Sequence, residues 1–387
     1  MSAHAELVLR NALESLDALS APPPDGRPNL LGVPLEELER FVTTANEPKY
    51  RAKQIFTGLF QRRVNAFADM TDISKSLRTA FESTFAIGRP RIDNVQASDD
   101  GTRKYKLVTD DGSIFEAVYI PEVAKGSTTN TLCVSSQTGC AVGCKFCFTA
   151  SLRRNRNLSA AEIVGQVLAV RDDVAPLGGN VTNIVFMGMG EPLLNYAHVT
   201  RAIRILLDPI GAAFPSKRIT VSTSGIIPRI YDLGRDLPTQ LAISLNASTN
   251  AIRQQVMPIT KKFPLEDLMT ALRAYPLGPR RRITIEYVLL AGVNDSIEDA
   301  RRLPHLLRDI PCKVNLLPLN EHDRTELKRP EWSTVLAFEA ELKRHKMNAI
   351  LRRPRGRDIS AACGQLGESS PAQVTNRDAT AALLTNS

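Results

Sequence analysis

Hydrophobic positions change period along this chain, and the changes divide it. From residue 30 to about 90, apolar residues recur at helical spacing. They do so over residues 34–43, over 50–61 with Ile55, Leu59 and Phe60 on one side, and over 70–85. Three amphipathic segments predict a small helical unit whose stripes face one another. The period then shortens to two. Residues 104–109 and 113–119 flank Asp110-Asp111-Gly112, which has the turn chemistry of a β-hairpin. Beyond residue 130, short apolar runs alternate with helical patterns. The runs cover 131–134, 181–187, 218–222, 240–245, 283–290, 313–318 and 348–351. The helical patterns cover 159–172, 265–275, 297–307 and 331–344, the first opening on a Ser159-Ala160-Ala161-Glu162 capping box. Strand–helix repetition predicts a parallel sheet, and about six repeats make an α/β fold, a partial (β/α)6 barrel open on one side. The predicted layout is a flexible N-terminal extension over 1–29, a helical accessory domain over 30–92 and a β-hairpin extension over 93–125. The barrel core follows over 126–366 and a flexible tail over 367–387.

Composition narrows the function. At 387 residues with 43% hydrophobic content, the chain can bury a large core. No apolar run approaches the ~18 residues that span a bilayer, and residues 1–27 hold no signal-like apolar stretch. The chain therefore reads as cytoplasmic, with no membrane partner. Six cysteines without an export signal point to metal or redox chemistry rather than a disulfide framework. Net charge is +8, and arginines cluster at Arg153, Arg154 and Arg156, at Arg280, Arg281 and Arg282, and at Arg352, Arg353, Arg355 and Arg357. These runs suit nucleic acid, although a solvated surface accounts for any one of them. Aromatics are not interleaved with them, so no RRM-like stacking face is present.

The densest chemistry is Gly139-Cys140-Ala141-Val142-Gly143-Cys144-Lys145-Phe146-Cys147. Three thiolates spaced C-x3-C-x2-C can hold three irons of a [4Fe–4S] cube and leave the fourth open to a ligand, where an ordinary ferredoxin cluster takes four cysteines. A zinc knuckle would want a fourth ligand, and the next histidine downstream is His198. Other candidates stand where strands end: Gly190 and Glu191, Ser222, Ser244, Leu245 and Asn246, and Asn320. Turn formation and helix capping explain such residues equally well. Cys133 and Cys312 read as small buried hydrophobes. Cys363 follows arginines and precedes Gly364, and positive surroundings would favour its thiolate.

The cysteine spacing, with Phe146 before the third cysteine, resembles the radical S-adenosylmethionine (SAM) superfamily. Further motifs resemble one family within it, the RlmN/Cfr group of radical SAM RNA methyltransferases. They are Tyr50-Arg51-Ala52-Lys53-Gln54-Ile55, Met70-Thr71-Asp72-Ile73-Ser74-Lys75, Leu132-Cys133-Val134-Ser135-Ser136-Gln137, Gly188-Met189-Gly190-Glu191-Pro192, Ile285-Glu286-Tyr287-Val288 and Ala362-Cys363-Gly364-Gln365-Leu366. The resemblance implies a [4Fe–4S] cluster on Cys140, Cys144 and Cys147. It implies SAM held by Gly190, Glu191, Ser222, Ser244, Leu245, Asn246 and Asn320. Cys363 would carry the methyl group, Cys133 would resolve a protein–RNA adduct by closing a disulfide with Cys363, and Glu116 would be the proton acceptor. The RlmN branch implies methylation at adenine C2 in 23S rRNA and tRNA, a flavodoxin- or ferredoxin-type reductant and a monomer. The Cfr branch would imply C8. An RNA-binding paralogue without activity, or a radical SAM enzyme for a protein or metabolite, fits less well with both lone cysteines present. The chain departs from the family pattern at Asn246, where a histidine is expected, and at Phe148, where serine is usual. The stretch between Glu116 and Cys133 also looks long.

Overall fold

The computed structural model of the chain describes residues 26–122, 129–152 and 155–367. The extension expected over 1–29 lies outside the described residues up to residue 25, and the tail expected over 367–387 does so from residue 368.

Three helices come first: α1 (Leu35–Thr44), α2 (Tyr50–Phe60) and α3 (Lys75–Thr84). Their apolar stripes close on one another through phenylalanines. Phe41 meets Phe81 and Phe85 edge-on, with ring centroids 5.5 and 4.7 Å apart. Such pairs add about 0.5–1.5 kcal/mol each beyond area burial. The third helix begins at Lys75, later than the apolar pattern over 70–85 suggests. Ser74 takes the N-cap, its Oγ accepting from the Leu77 N–H at 3.2 Å.

A three-stranded antiparallel meander follows: β1 (Arg91–Ala97), β2 (Arg103–Val108) and β3 (Ile114–Pro121). The sequence reading contains β2 and β3 but not β1. As an edge strand, β1 is largely solvated and carries no clean alternation.

The meander continues into the barrel. Strand β4 (Asn130–Cys133) pairs antiparallel with β3. Then come α4 (Ala160–Val174), β5 (Asn183–Phe186), α5 (Tyr196–Leu207), β6 (Ile219–Thr223), α6 (Ile227–Asp236) and β7 (Gln240–Ser244). The chain goes on through α7 (Asn250–Val256), α8 (Leu265–Ala274), β8 (Ile283–Leu289), α9 (Ile297–Leu306), β9 (Cys312–Pro318), α10 (Trp332–Arg344) and β10 (Ala349–Leu351). Neighbours from β4 to β10 are all parallel, and the described strands make one sheet in chain order. The predicted partial barrel is thus present, with β10 as a seventh parallel strand.

Helices α5, α6 and α7 are absent from the sequence reading, and each has a cause. Buried arginines interrupt the apolar stripes of α5 and α7: Arg201 is 6% exposed and Arg253 0%. Helix α6 buries only Ile230 and Leu233. Arg201 also fastens the helical unit to the barrel. Its Nε donates to the Gly32 carbonyl at 2.5 Å, and its fork grips the Glu37 carboxylate, with Nη1 to Oε1 at 2.6 Å. Among the described residues no helix is long and apolar enough to cross a membrane.

Candidate active site

Parallel barrels gather function at the C-terminal ends of their strands, and here those ends surround a cavity of about 980 Å³ including its mouth. Cys140, Cys144 and Cys147 line it from the loop after β4. Two backbone bonds shape that loop: the Lys145 N–H donates to the Val256 carbonyl at 3.0 Å, and the Cys147 N–H to the Cys144 carbonyl at 3.2 Å. Phe146 packs among Val256, Met257, Leu290 and Leu319, with Cys144 and Cys147 against the same cluster.

Burial pushes the Cys140 thiol up to about 12 and Cys144 well above its ordinary value, and neighbouring thiols add to both. Left to themselves these thiols keep their protons, and metal binding displaces them. Among the described residues no three His, Cys, Asp or Glu side chains converge on a point that one ion could share. A cube offers a separate iron to each thiolate and needs no such convergence. Three thiols on one loop, all lining one cavity, fit a [4Fe–4S] cluster that takes one thiolate at each of three irons.

The strand-end candidates gather on the same cavity. Gly190, Glu191, Ser222, Ser244, Asn246 and Asn320 all line it. Gly190 has φ +98°, and a Cβ there would fall 2.5 Å from the Gln137 side chain, so the two loops meet only over glycine. The Glu191 carboxylate accepts from the Leu193 N–H at 3.0 Å and the Ser224 N–H at 2.7 Å. Burial still raises its pKa. Asn246 has φ +57°, a conformation asparagine tolerates better than most residues. Its Oδ1 accepts from the Val288 N–H at 2.8 Å, and its Nδ2 lies 3.2 Å from the Met257 sulfur. The amide therefore ties β7 to β8. The Leu245 side chain is the exception: it is wholly buried in the core and does not line the cavity, leaving only its backbone near the site.

Cys363 also lines the cavity, on the loop after β10. Three bonds hold that loop against the cluster loop and β3. The Phe148 N–H donates to the Gly364 carbonyl at 2.7 Å, the Thr149 hydroxyl to the Leu366 carbonyl at 2.8 Å, and the Gly367 N–H to the Glu116 carboxylate at 2.7 Å. Asn320 Nδ2 adds a bond to the Cys363 carbonyl at 3.2 Å. Phe148 is buried beneath this loop, edge-on to His322 at 5.5 Å.

The expectation that arginines favour the Cys363 thiolate is overturned. Cys363 opens onto the cavity, but the surrounding walls push its thiol up to about 11. Glu286 adds to the rise and Arg352 only partly opposes it, while Arg355 is turned away to Asp100 at 2.8 Å. Cys133, at the end of β4, is buried behind the cavity, and burial and then the nearby Cys363 raise its thiol far above the usual range. Both cysteines are free thiols. Glu116 is buried outside the cavity lining, with its carboxylate 3.8 Å from the Lys104 ammonium. Residues 123–128, which fall within the stretch between Glu116 and Cys133, lie outside the described residues.

Two charged residues are not named as site residues by the sequence reading: Glu286, which lines the cavity, and Arg253, which is bonded to the backbone of the lining residues Ser224 and Ser244. Glu286 lines the cavity from β8, with its pKa raised by burial and its Oε1 accepting from Asn315 at 2.9 Å. A lone acid in an otherwise apolar strand is the signal that could have found it. Arg253 sits on a short helix with no comparable signal. The arginine runs divide by use. Arg156 grips Glu162 and Asp111, and Arg281 donates to the Pro238 carbonyl and, at 3.0 Å, to Ser216. Arg280, Arg282, Arg352, Arg353 and Arg357 are exposed, and Arg153 and Arg154 lie outside the described residues.

Comparison with known proteins agrees with this geometry. Residues 134–303 match the radical SAM superfamily, and residues 28–87 match the ribosomal RNA large subunit methyltransferase N-terminal domain. The chain is 49% identical over 338 residues to the dual-specificity RNA methyltransferase RlmN of Geobacter sulfurreducens, covering 87% of this chain and 91% of that one. It is 47% identical to the protein of the same name from Geotalea uraniireducens, over 86% and 94% of the two chains. A radical SAM methyltransferase from Sphaerobacter thermophilus superposes with a TM-score of 0.82 at 40% identity, covering 88% of this chain and 99% of its own.

Proposed function

This chain belongs to the RlmN family of radical SAM RNA methyltransferases, and from that premise we propose that it methylates C2 of adenine in both 23S rRNA and tRNA. The observation that carries the reading is one cavity lined by the cluster cysteines, the strand-end residues and Cys363, with Cys133 close behind. Cys140, Cys144 and Cys147 hold the [4Fe–4S] cluster. Gly190, Glu191, Ser222, Ser244, Asn246 and Asn320 surround SAM, with the Leu245 backbone beside them. Bound there, cluster and SAM supply a 5′-deoxyadenosyl radical, which an adenine C–H needs because it is neither acidic nor electrophilic enough for polar methyl transfer.

The protein's own residues do the rest. Cys363 takes a methyl group onto sulfur from one SAM, which leaves as S-adenosylhomocysteine. That methyl gives up one hydrogen atom to the adenosyl radical, and its carbon bonds to the ring, so base and protein are briefly joined. The adduct then loses one electron, to an acceptor of the iron–sulfur class, and its ring proton, to Glu116. Cys133 attacks the Cys363 sulfur and breaks its bond to that carbon, which takes up a proton to become the methyl group. A disulfide between the two cysteines is left. A reductant of the flavodoxin or ferredoxin type provides electrons, and the enzyme works as a monomer in the cytoplasm. The adenine must leave its stack to reach the cavity, while exposed arginines hold the RNA backbone.

The test is to incubate anaerobically reconstituted protein with SAM, a reductant, and 23S rRNA or tRNA separately, and to digest the RNA for mass spectrometry. The expected product is 2-methyladenosine from both RNAs. An 8-methyladenosine product would replace C2 by C8, and no methylated adenine from either RNA would overturn the reading.

A further inference from the structure

Arg253 heads the wholly buried side chains of the described protein in size. Its guanidinium makes four hydrogen bonds, all to neutral acceptors. Nε donates to the Leu245 carbonyl at 3.0 Å and Nη1 to the Thr260 hydroxyl at 3.1 Å. Nη2 donates to the Ser224 carbonyl at 2.6 Å and the Ser244 carbonyl at 3.1 Å. Among the described residues no carboxylate forms an ion pair with it. A buried cation with no counter-charge is costly to keep.

One neighbour changes that balance. The group whose ionisation acts on Arg253 is Cys144, the middle cysteine of the triad, which becomes an anion only as a cluster ligand. The helix that carries Arg253, α7, ends against the cluster loop: the Lys145 N–H donates to the Val256 carbonyl, and Val256 and Met257 pack on Cys144 and Cys147. A [4Fe–4S] cluster with three thiolates is an anion, and it becomes more negative when it takes up an electron. Nearby charge is among the factors that set such a cluster's potential.

We propose that Arg253 is the fixed counter-charge of the cluster. It raises the cluster's reduction potential and so favours entry of the electron that SAM cleavage requires. The same side chain holds the carbonyls of Ser224 and Ser244 and thereby sets the ends of β6 and β7 beside the cluster. Arg253 is a positioning residue: it acts on the cluster through charge and on the strand ends through hydrogen bonds.

Redox titration separates the two effects, because a scaffold role alone does not track charge. Full-length protein is reconstituted without oxygen, and its cluster is titrated by electron paramagnetic resonance and visible absorbance. Arg253→Gln should leave the cluster harder to reduce. At a fixed buffered potential its reduced-to-oxidised ratio should drop about tenfold, equivalent to about 59 mV for one electron. Arg253→Lys keeps the charge and should titrate near wild type. Thr260→Asp sets a carboxylate against the guanidinium while leaving the three carbonyl bonds, and its potential should move in the same direction as Arg253→Gln. Should Arg253→Gln fail to fold or load iron, Thr260→Asp decides the matter. A wild-type potential in loaded Arg253→Gln or Thr260→Asp would overturn the proposal. So would equal shifts in Arg253→Lys and Arg253→Gln. Wild-type protein that holds no iron would overturn the cluster itself, a separate failure.

Discussion

Cys140, Cys144 and Cys147 reach the cavity on a single loop, whereas Cys363 lines it from the loop after β10 and Cys133 stands behind it at the end of β4, at opposite ends of the barrel core in chain order. Local turns and a few contacts to α7 suffice to present the first set. The second exists only because the sheet closes far enough for the last loop to settle against Phe148, Thr149 and Glu116. One set can therefore be disabled without touching the other. Their chemical roles should come apart in the same way.

The largest expected effect follows from removing one ligand of the local set. Cys144→Ala should purify with little iron, lack the brown absorbance of the cluster and cleave no SAM, while folding normally. Iron analysis and absorbance check this. A full iron content in Cys144→Ala would show that the cluster is held elsewhere.

Substitutions in the assembled pair should leave the iron in place. Cys363→Ala should load the cluster, take up no label from methyl-labelled SAM and modify no RNA. Cys133→Ala should load both cluster and methyl group and then stall with RNA attached, since no thiol is left to attack the Cys363 sulfur. Covalent RNA would appear as nuclease-sensitive mass and high ultraviolet absorbance in protein purified from cells. If Cys133→Ala emerges free of RNA and Cys363→Ala still methylates, the division of roles between the two sets is wrong.

Gly190 lines the cavity that both sets serve and packs on Gln137, and altering it should blur the contrast. Gly190→Ala forces a side chain into a positive-φ position and against Gln137 at the root of the cluster loop. The cost should be about 2–3 kcal/mol of stability, with cluster loading and methyl loading falling together. Denaturant midpoints alongside iron content would measure this. A stable variant defective in only one of the two would show that the sets do not share this support.

What the sequence reveals follows the same line between local and assembled. The parallel strands are legible because each is a short apolar run buried on both faces. The triad is legible because its spacing is itself the geometry. Strand-end residues such as Ser222 and Asn320 are legible because position after a run places them. Helices α5 and α7 are not, since Arg201 and Arg253 put charge where the helical pattern wants an apolar residue, and only the finished fold supplies their partners. Leu245 marks the limit of reasoning by position: it ends a strand beside cavity residues, but strand alternation turns its side chain into the core. The pairing of Cys133 with Cys363 is beyond spacing altogether; only family resemblance implied it, and the fold brings them near.

The smallest expected effect concerns a run that is contiguous in sequence and divided in structure. Arg280 and Arg282 are exposed, but Arg281 between them donates to the Pro238 carbonyl and to Ser216. The outer two should contact RNA phosphates, and the middle one should hold its loop. Replacing Arg280 and Arg282 by Gln should weaken binding of tRNA about three- to tenfold and flatten the salt dependence by about one to two counterions, without changing which base is methylated. Arg281→Gln should instead cost about 1 kcal/mol of stability through its lost hydrogen bonds and leave the salt slope near wild type. Filter binding across a salt series, with melting curves beside it, distinguishes the two. A steeper loss of salt dependence in Arg281→Gln than in the double variant would reverse the assignment, and would mean that a run read as one basic patch acts as one after all.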